Sequence, residues 1–244
     1  MNNIEESLSM ALSHPKKQSF ELFNEISGRY DVINSVLSLG LHGKWRRLIR
    51  QTLPAGEDLR VLDLATGTAD VAIELVKSPR VARVEGYDMS VGMIEKGRQK
   101  LKKRKLNKKI ELSVGDAQKL PWDDGVFDAV TISFGIRNIP DFRRCLRESL
   151  RVLKPGGRMI VLEFALPASK LVRSGHLFYL RNILPKIGKV LSGHDVAYSY
   201  LNETIEEFPY GQEFTAIMRE SGFDNTRYED LTAGIVNLYW GDKN

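Results

Sequence analysis

The stretch RVLDLATGTAD from Arg60 to Asp70, followed by VEGYDMS with its lone acid Asp88, limits the folds open to this 244-residue chain more than any other feature. It reads as an apolar strand, a glycine turn, a helix start and a second strand ending in a carboxylate. In doubly wound α/β folds, an acid at the tip of that second strand binds the ribose hydroxyls of a nucleoside cofactor. The turn also excludes cofactors. A dinucleotide fingerprint uses three glycines so that backbone can approach a pyrophosphate at a helix N-terminus, whereas here Gly67 stands alone. A Walker-type cradle needs Lys and Ser or Thr after its second glycine, and no such sequence occurs in the chain. A phosphate-free nucleoside cofactor is favoured, and S-adenosylmethionine fits. The competing reading is that Gly67 only turns the chain and Asp88 caps a helix beginning at Ser90.

Short apolar or β-branched runs mark further strands at Val61 to Leu64, Arg83 to Tyr87, Ile110 to Val114, Phe127 to Ser133 and Gly157 to Phe164. Helical patterns fall between them at Asp70 to Lys77, Val91 to Lys105 and Asp141 to Leu153, the last closed by Lys154-Pro155-Gly156-Gly157 as a stop and turn. Strands alternating with helices imply right-handed crossovers and a mostly parallel sheet. A helix at Gly211 to Ser221 and strands at Phe223 to Asp230 and Ala233 to Trp240 follow, as an antiparallel addition at the sheet edge. The expectation is one α/β domain over 1–244, with a helical cap at about 15–53 and a helical lid at about 166–209. Ligands of such a sheet bind outside the carboxyl ends of its strands.

Composition removes several alternatives. Hydrophobic content of 42% and charged content of 27% are ordinary for a soluble protein, and no apolar run approaches the ~20 residues that span a bilayer. The N-terminus carries Glu5 and Glu6 and has neither a secretory nor a transit plan, so a cytoplasmic location is expected. The one cysteine, Cys145, reads as a half-buried structural thiol, and the four histidines lack metal-ligand spacing, so no metal site is indicated. Net charge of +5 gathers in the run from Lys96 to Lys109. That run lacks aromatics for base stacking, so it reads as the solvated face of a helix; a phosphate patch and an anionic membrane contact are the competing readings.

Four longer segments add a resemblance. FNEISGRYDVINSVLSLGLHGKWRR from Phe23, DFRRCLRESLRVLKPGGRMIVLEF from Asp141, and AYSYLNETIEEFP with LTAGIVNLYWGDK toward the other end resemble the ubiquinone/menaquinone biosynthesis C-methyltransferases. These are class I S-adenosylmethionine-dependent enzymes. The resemblance implies a Rossmann-like, mostly parallel seven-stranded sheet with helices on both faces and an antiparallel edge strand. It implies that Gly67 and Thr68 meet the methionyl part of the cofactor, Asp88 the ribose, Asp116 and Ala117 the adenine, and Ser133 the far side of the pocket. Met89 would pack on the adenine or serve as core, and Asp63 would hold the glycine loop through backbone N–H groups. Where many such enzymes have glycine this chain has Ala69, whose methyl group is expected to narrow the loop.

The resemblance further implies carbon methylation of a polyprenyl quinol, with demethylmenaquinol preferred over a benzoquinol. Such a reaction needs alignment and loss of a phenolic proton. Arg137 and Asn138, after the fourth strand, are the expected ring contacts, with Tyr30 from the cap. A guanidinium pKa above ~12 makes arginine a poor base. Arg137 is therefore read as stabilising the phenolate while a water held by Asn138 and Tyr30 carries the proton away; the alternative for Arg137 is a surface ion pair with Asp141. His42 is a secondary candidate. The amphipathic basic stretch around Pro185, with Lys186 and Lys189, reads as a lid that touches the membrane surface, or else as a homodimer face. No nucleic-acid partner is expected.

Overall fold

The computed structural model describes residues 40–183 and 204–244. Tyr30, the cap up to residue 39, and 184–203 of the expected lid, with Pro185, Lys186 and Lys189, lie outside the described residues. In chain order the elements are α1 (His42–Gln51), β1 (Leu59–Leu64), α2 (Asp70–Leu75), β2 (Val81–Asp88), α3 (Val91–Arg104), β3 (Ile110–Val114), β4 (Phe127–Ser133), α4 (Phe142–Val152), β5 (Leu153–Phe164), α5 (Lys170–Phe178), α6 (Gln212–Glu220), β6 (Asp224–Leu231) and β7 (Val236–Asp242).

The strands form one sheet in the order β3-β2-β1-β4-β5-β7-β6. The first five pair in parallel, and β7 runs antiparallel to both β5 and β6. Strand periodicity of two sends alternate residues to opposite faces. Val61, Ile160 and Leu162 join one apolar cluster with Trp45 and Ile49 of α1, Leu75 of α2 and Leu101 of α3. Leu62, Met159 and Val161 join the other with Leu146 of α4 and Phe214 and Met218 of α6. Helices therefore cover both faces.

Local chemistry explains the element ends. Ser90 caps α3 by accepting the Met93 N–H (3.2 Å), and Asp141 caps α4 by accepting the Arg144 N–H (2.9 Å). β5 begins earlier than expected, because Lys154-Pro155-Gly156-Gly157 is a bulge inside the strand rather than a turn before it. Gly156 makes the bend at φ +76°, its N–H donates to the Lys243 carbonyl (2.7 Å), and the Lys243 N–H donates to Gly157 (2.9 Å). Proline is tolerated at such a bulge. Cys145 is fully buried rather than half-buried, and burial pushes its thiol up to about 12.

Most of the basic run on α3 is exposed, as a solvated face requires. Two members are structural instead: the Arg98 guanidinium donates to the Leu112 carbonyl (2.8 Å), and Lys100 Nζ reaches Thr68 Oγ1 (2.8 Å) and Asp70 Oδ1 (2.9 Å). With Arg46 of α1 also on Asp70 (2.8 Å), this network joins α1, α2, α3 and the glycine loop. Among the described residues no helix is long and apolar enough to cross a membrane.

Candidate active site

The chain leaves β1 toward β2 on one side, while β4 lies on the other, and the carboxyl ends of β1 and β4 frame a crevice. Such switch points are where open α/β sheets bind ligands. The loop after β1 is tightly wound: Ala65, Gly67 and Ala69 all have positive φ, at +48°, +55° and +69°. A left-handed turn of this kind lets successive backbone N–H groups face one ligand. The left-handed φ at Ala69 accounts for the glycine that many similar loops carry, since only glycine enters that region without steric cost. The Ala69 methyl does not narrow the loop as expected. It is fully buried in the apolar cluster, on the side of Gly97.

Two carboxylates organise the loop. Asp88, at the end of β2, accepts the Gly67 N–H through Oδ2 and the Ser90 N–H through Oδ1, both at 2.8 Å. It thus orients Ser90, which is the residue that caps α3, while also holding the loop. Asp63 departs in part from the sequence reading: it holds the loop through the Thr66 hydroxyl, with Thr131 on its other oxygen, each donating at 2.6 Å, and its backbone hydrogen bond comes from Ala72 of α2. Burial raises Asp63 to about 6, against the two hydroxyl bonds that lower it and with the Asp88 charge as a smaller raising influence. The folded state therefore holds this proton more tightly than the unfolded chain. Ionised Asp63 opposes folding above about pH 6, and the opposition fades as pH falls toward the ordinary carboxylate range, a change of about 3 kcal/mol. The unfolding free energy of the wild type minus that of Asp63→Asn should rise as pH is lowered from about 7 to 5. A flat difference would remove burial as the cause.

The residues at the neighbouring strand ends suit an adenosyl group. Met89 is 40% exposed and Val114 44% exposed, which removes the core reading of Met89 and leaves apolar surface beside the Asp88 carboxylate. Asp116 is turned by Gln118, whose N–H (2.8 Å) and Nε2 (3.0 Å) donate to its Oδ1; Ala117 and Ser133 are half-buried. A side chain at Gly115 would run into the Tyr87 hydroxyl at 1.7 Å, and one at Gly135 into Ala65 at 2.5 Å, so both loops need their glycines. Asp88 at the strand end, with Lys100 bound to Asp70 and Thr68, sets an acid beside the loop, which suits a cationic ligand better than a pyrophosphate. Thr68 is buried, with its hydroxyl engaged by Lys100, and the Gly67 N–H is taken up by Asp88.

On the acceptor side, Arg137 is buried, at 5% exposure, and its partner is not Asp141 but Glu163 at the end of β5. Nη1 donates to Glu163 Oε1 (2.6 Å) and to the Phe134 carbonyl (2.8 Å), and the guanidinium lies over the Phe164 ring at 5.4 Å. Glu163 is fully buried; desolvation raises its proton affinity despite the Arg137 charge, and it also accepts the Phe164 N–H (2.9 Å). Arg137 Nε, Asn138 Oδ1 and Glu163 Oε2 are buried without hydrogen-bond partners among the described residues. Three such atoms in one cluster are costly unless a ligand pairs with them. Glu163 was missed in the sequence, where it reads as one acid in an apolar strand. His42, the secondary candidate, is the first residue of α1.

Comparison with known proteins agrees with this geometry. The model of the ubiE/COQ5 methyltransferase family matches residues 12–243. A ubiquinone/menaquinone biosynthesis C-methyltransferase UbiE of Geobacter sulfurreducens is 42% identical over 91% of this chain and 87% of its own length. A demethylmenaquinone methyltransferase of Deinococcus radiodurans is 44% identical over 91% of each chain. Among solved structures, a Thermotoga maritima S-adenosylmethionine-dependent methyltransferase aligns with a TM-score of 0.65 at 18% identity, covering 92% of this chain and all of the other, and so shares the fold. The sheet order, the carboxylate-held glycine loop and the match across nearly the whole sequence together place this chain in the ubiE/COQ5 methyltransferase family.

Proposed function

We propose that the chain works as one domain that transfers the methyl group of S-adenosylmethionine to a ring carbon of a polyprenyl quinol, with demethylmenaquinol as substrate. The observation that carries this reading is the buried Arg137–Glu163 pair with Asn138 beside it, whose unpartnered polar atoms suit an aromatic hydroxyl. When bound, the cofactor supplies a methyl group already activated on a sulfonium. Gly67, Thr68, Asp88, Met89, Asp116, Ala117 and Ser133 bind and orient it, and Asp63 fixes the loop.

What remains for the protein is alignment and handling of protons. Arg137 holds positive charge beside the quinol oxygen and stabilises the phenolate as the O–H proton leaves. Glu163 fixes the guanidinium through Nη1 and leaves Nε for that oxygen. Asn138 and Tyr30 hold the water that takes the proton. The ring carbon forms its bond to the methyl group as the sulfur–methyl bond breaks, and loss of the proton on that carbon restores the aromatic ring. In-line placement alone can supply about 7–11 kcal/mol of the acceleration. Incubation with labelled S-adenosylmethionine and quinone-deficient lipid extract should put label on the quinol ring; label on RNA, or on no lipid, would defeat the reading.

A polyprenyl tail asks for contact with the membrane surface. α5 and the turn after it support this: Leu171, Phe178 and Ile183 are 84%, 60% and 39% exposed, with Leu171 and Phe178 two turns apart on one face. Leu171→Ser with Phe178→Ser is expected to reduce co-sedimentation with anionic vesicles at least about tenfold. Unchanged binding would count against this surface.

A further inference from the structure

The inner face of α5 carries two polar groups that the site described above leaves unused. His176 and Tyr179 stand three residues apart on one helical face, and Leu180 completes it. His176 is 8% exposed and Leu180 3%, and Tyr179 packs against the cluster that holds Leu180. His176 Nε2 and the Tyr179 hydroxyl are buried and have no hydrogen-bond partner among the described residues. Burial lowers the proton affinity of the imidazole and raises that of the phenol, so both groups stay neutral. Phe164 belongs to the same cluster, and Phe134 packs against it. Their rings lie 4.5 Å apart, and Arg137 sits over one ring and binds the carbonyl of the other residue. Tyr179, Phe134 and Phe164 thus pack in or on one apolar cluster, which Arg137 borders through both phenylalanines. A purely structural face would be filled by apolar side chains, which leave no buried polar atom unsatisfied.

We propose that His176 and Tyr179 bind the second oxygen of the quinol, the one remote from Arg137, and so select the reduced dihydroxy ring over the quinone. The assignment rests on the quinol reading above. A hydroxyl both donates and accepts, a neutral imidazole nitrogen accepts, and a phenol donates. The ring O–H donates to His176 Nε2 while its oxygen accepts from the Tyr179 O–H, and all three groups are satisfied. With the imidazole proton on Nδ1, His176 Nε2 only accepts, and a quinone carbonyl, which also only accepts, would leave it buried and unpaired. Sites built to bond a hydroxyl discriminate strongly on that basis.

The test compares a soluble short-chain demethylquinol with its mono-methyl ether at the remote oxygen, using the full chain and the variants Tyr179→Phe and His176→Phe. Tyr179→Phe keeps the ring volume, and thermal midpoint and cofactor affinity serve as controls for folding. KM for the diol should rise about tenfold in each variant, the size of one lost buried hydrogen bond. The wild type should use the mono-ether about as poorly as His176→Phe uses the diol, and His176→Phe should lose little more on it, whereas Tyr179→Phe, whose O–H an ether oxygen still accepts, should lose on both. Equal factors of loss on diol and mono-ether for His176→Phe, or an unchanged KM for the diol in either variant, would overturn the assignment. Failure of the wild type to methylate either ring would instead overturn the quinol reading, and this assignment with it.

Discussion

Arg137→Ala is expected to abolish turnover and to destabilise the fold by about 3–5 kcal/mol, because it leaves the Glu163 carboxylate buried without its cation. The ion pair has side chains only 6% and 0% exposed, so water cannot compensate the loss. The destabilisation should shrink as pH falls. With Arg137 gone, the proton affinity of Glu163 rises further, and protonation relieves the penalty as pH drops toward the ordinary carboxylate range. The double variant Arg137→Met with Glu163→Leu should regain most of the stability, since apolar replacements of a buried pair are often neutral or better, yet remain inactive. Denaturant melts with turnover assays separate the two effects. Recovery of activity with stability would reduce the pair to a packing device and remove Arg137 from the site. Cofactor affinity should stay near the wild-type value in the double variant, because Asp88 and its loop are untouched.

The second large effect belongs to Asp88. Asp88→Asn is expected to weaken S-adenosylmethionine binding by at least about a hundredfold, because the carboxylate accepts from two backbone N–H groups and an amide has one oxygen to offer. Two charge-assisted bonds at about 1.5–3 kcal/mol each set the scale. The Asn amide nitrogen would face a backbone N–H, so the loop around Gly67 loses its anchor as well as its ribose partner. Desolvation raises the Asp88 proton affinity in the folded protein. Affinity should therefore begin to fall at a higher pH than an ordinary aspartate would give. Calorimetric titration across the acid range reads both effects; a change of less than threefold at neutral pH would show that the loop holds itself.

The strand–turn–helix–strand unit that carries the proposed cofactor residues was legible in the sequence because its parts are local. Asp63, Gly67 and Asp88 lie on one strand–turn–helix–strand unit, and the apolar runs Ile110–Val114 and Phe127–Ser133 form strands with the expected bounds. The acceptor half depends on contacts between segments far apart in the chain. Glu163 meets Arg137 only because β4 and β5 pair in parallel and bring their carboxyl ends side by side. The start of β5 was misread for the same reason: its bulge is fixed by Lys243, which no local pattern reveals. His176 gave no sequence signal, since a lone histidine in an amphipathic stretch shows its burial only after the helix has docked.

The position of β7 bears on how the chain is assembled. It pairs with β5 from Arg158 to Phe164 on one side and with β6 on the other, although it follows both in the chain. During synthesis β5 and β6 must wait, with open edges, for a strand made after them, and open edges are sites of mispairing between nascent chains. Asn237 lies beside Glu163 in the register, so the wall behind the Arg137–Glu163 pair closes only when that strand docks. The surroundings of the Arg137–Glu163 pair are thereby tied to completion of the sheet, and an unfinished chain can form the loop held by Asp88 while that pair still lacks its wall.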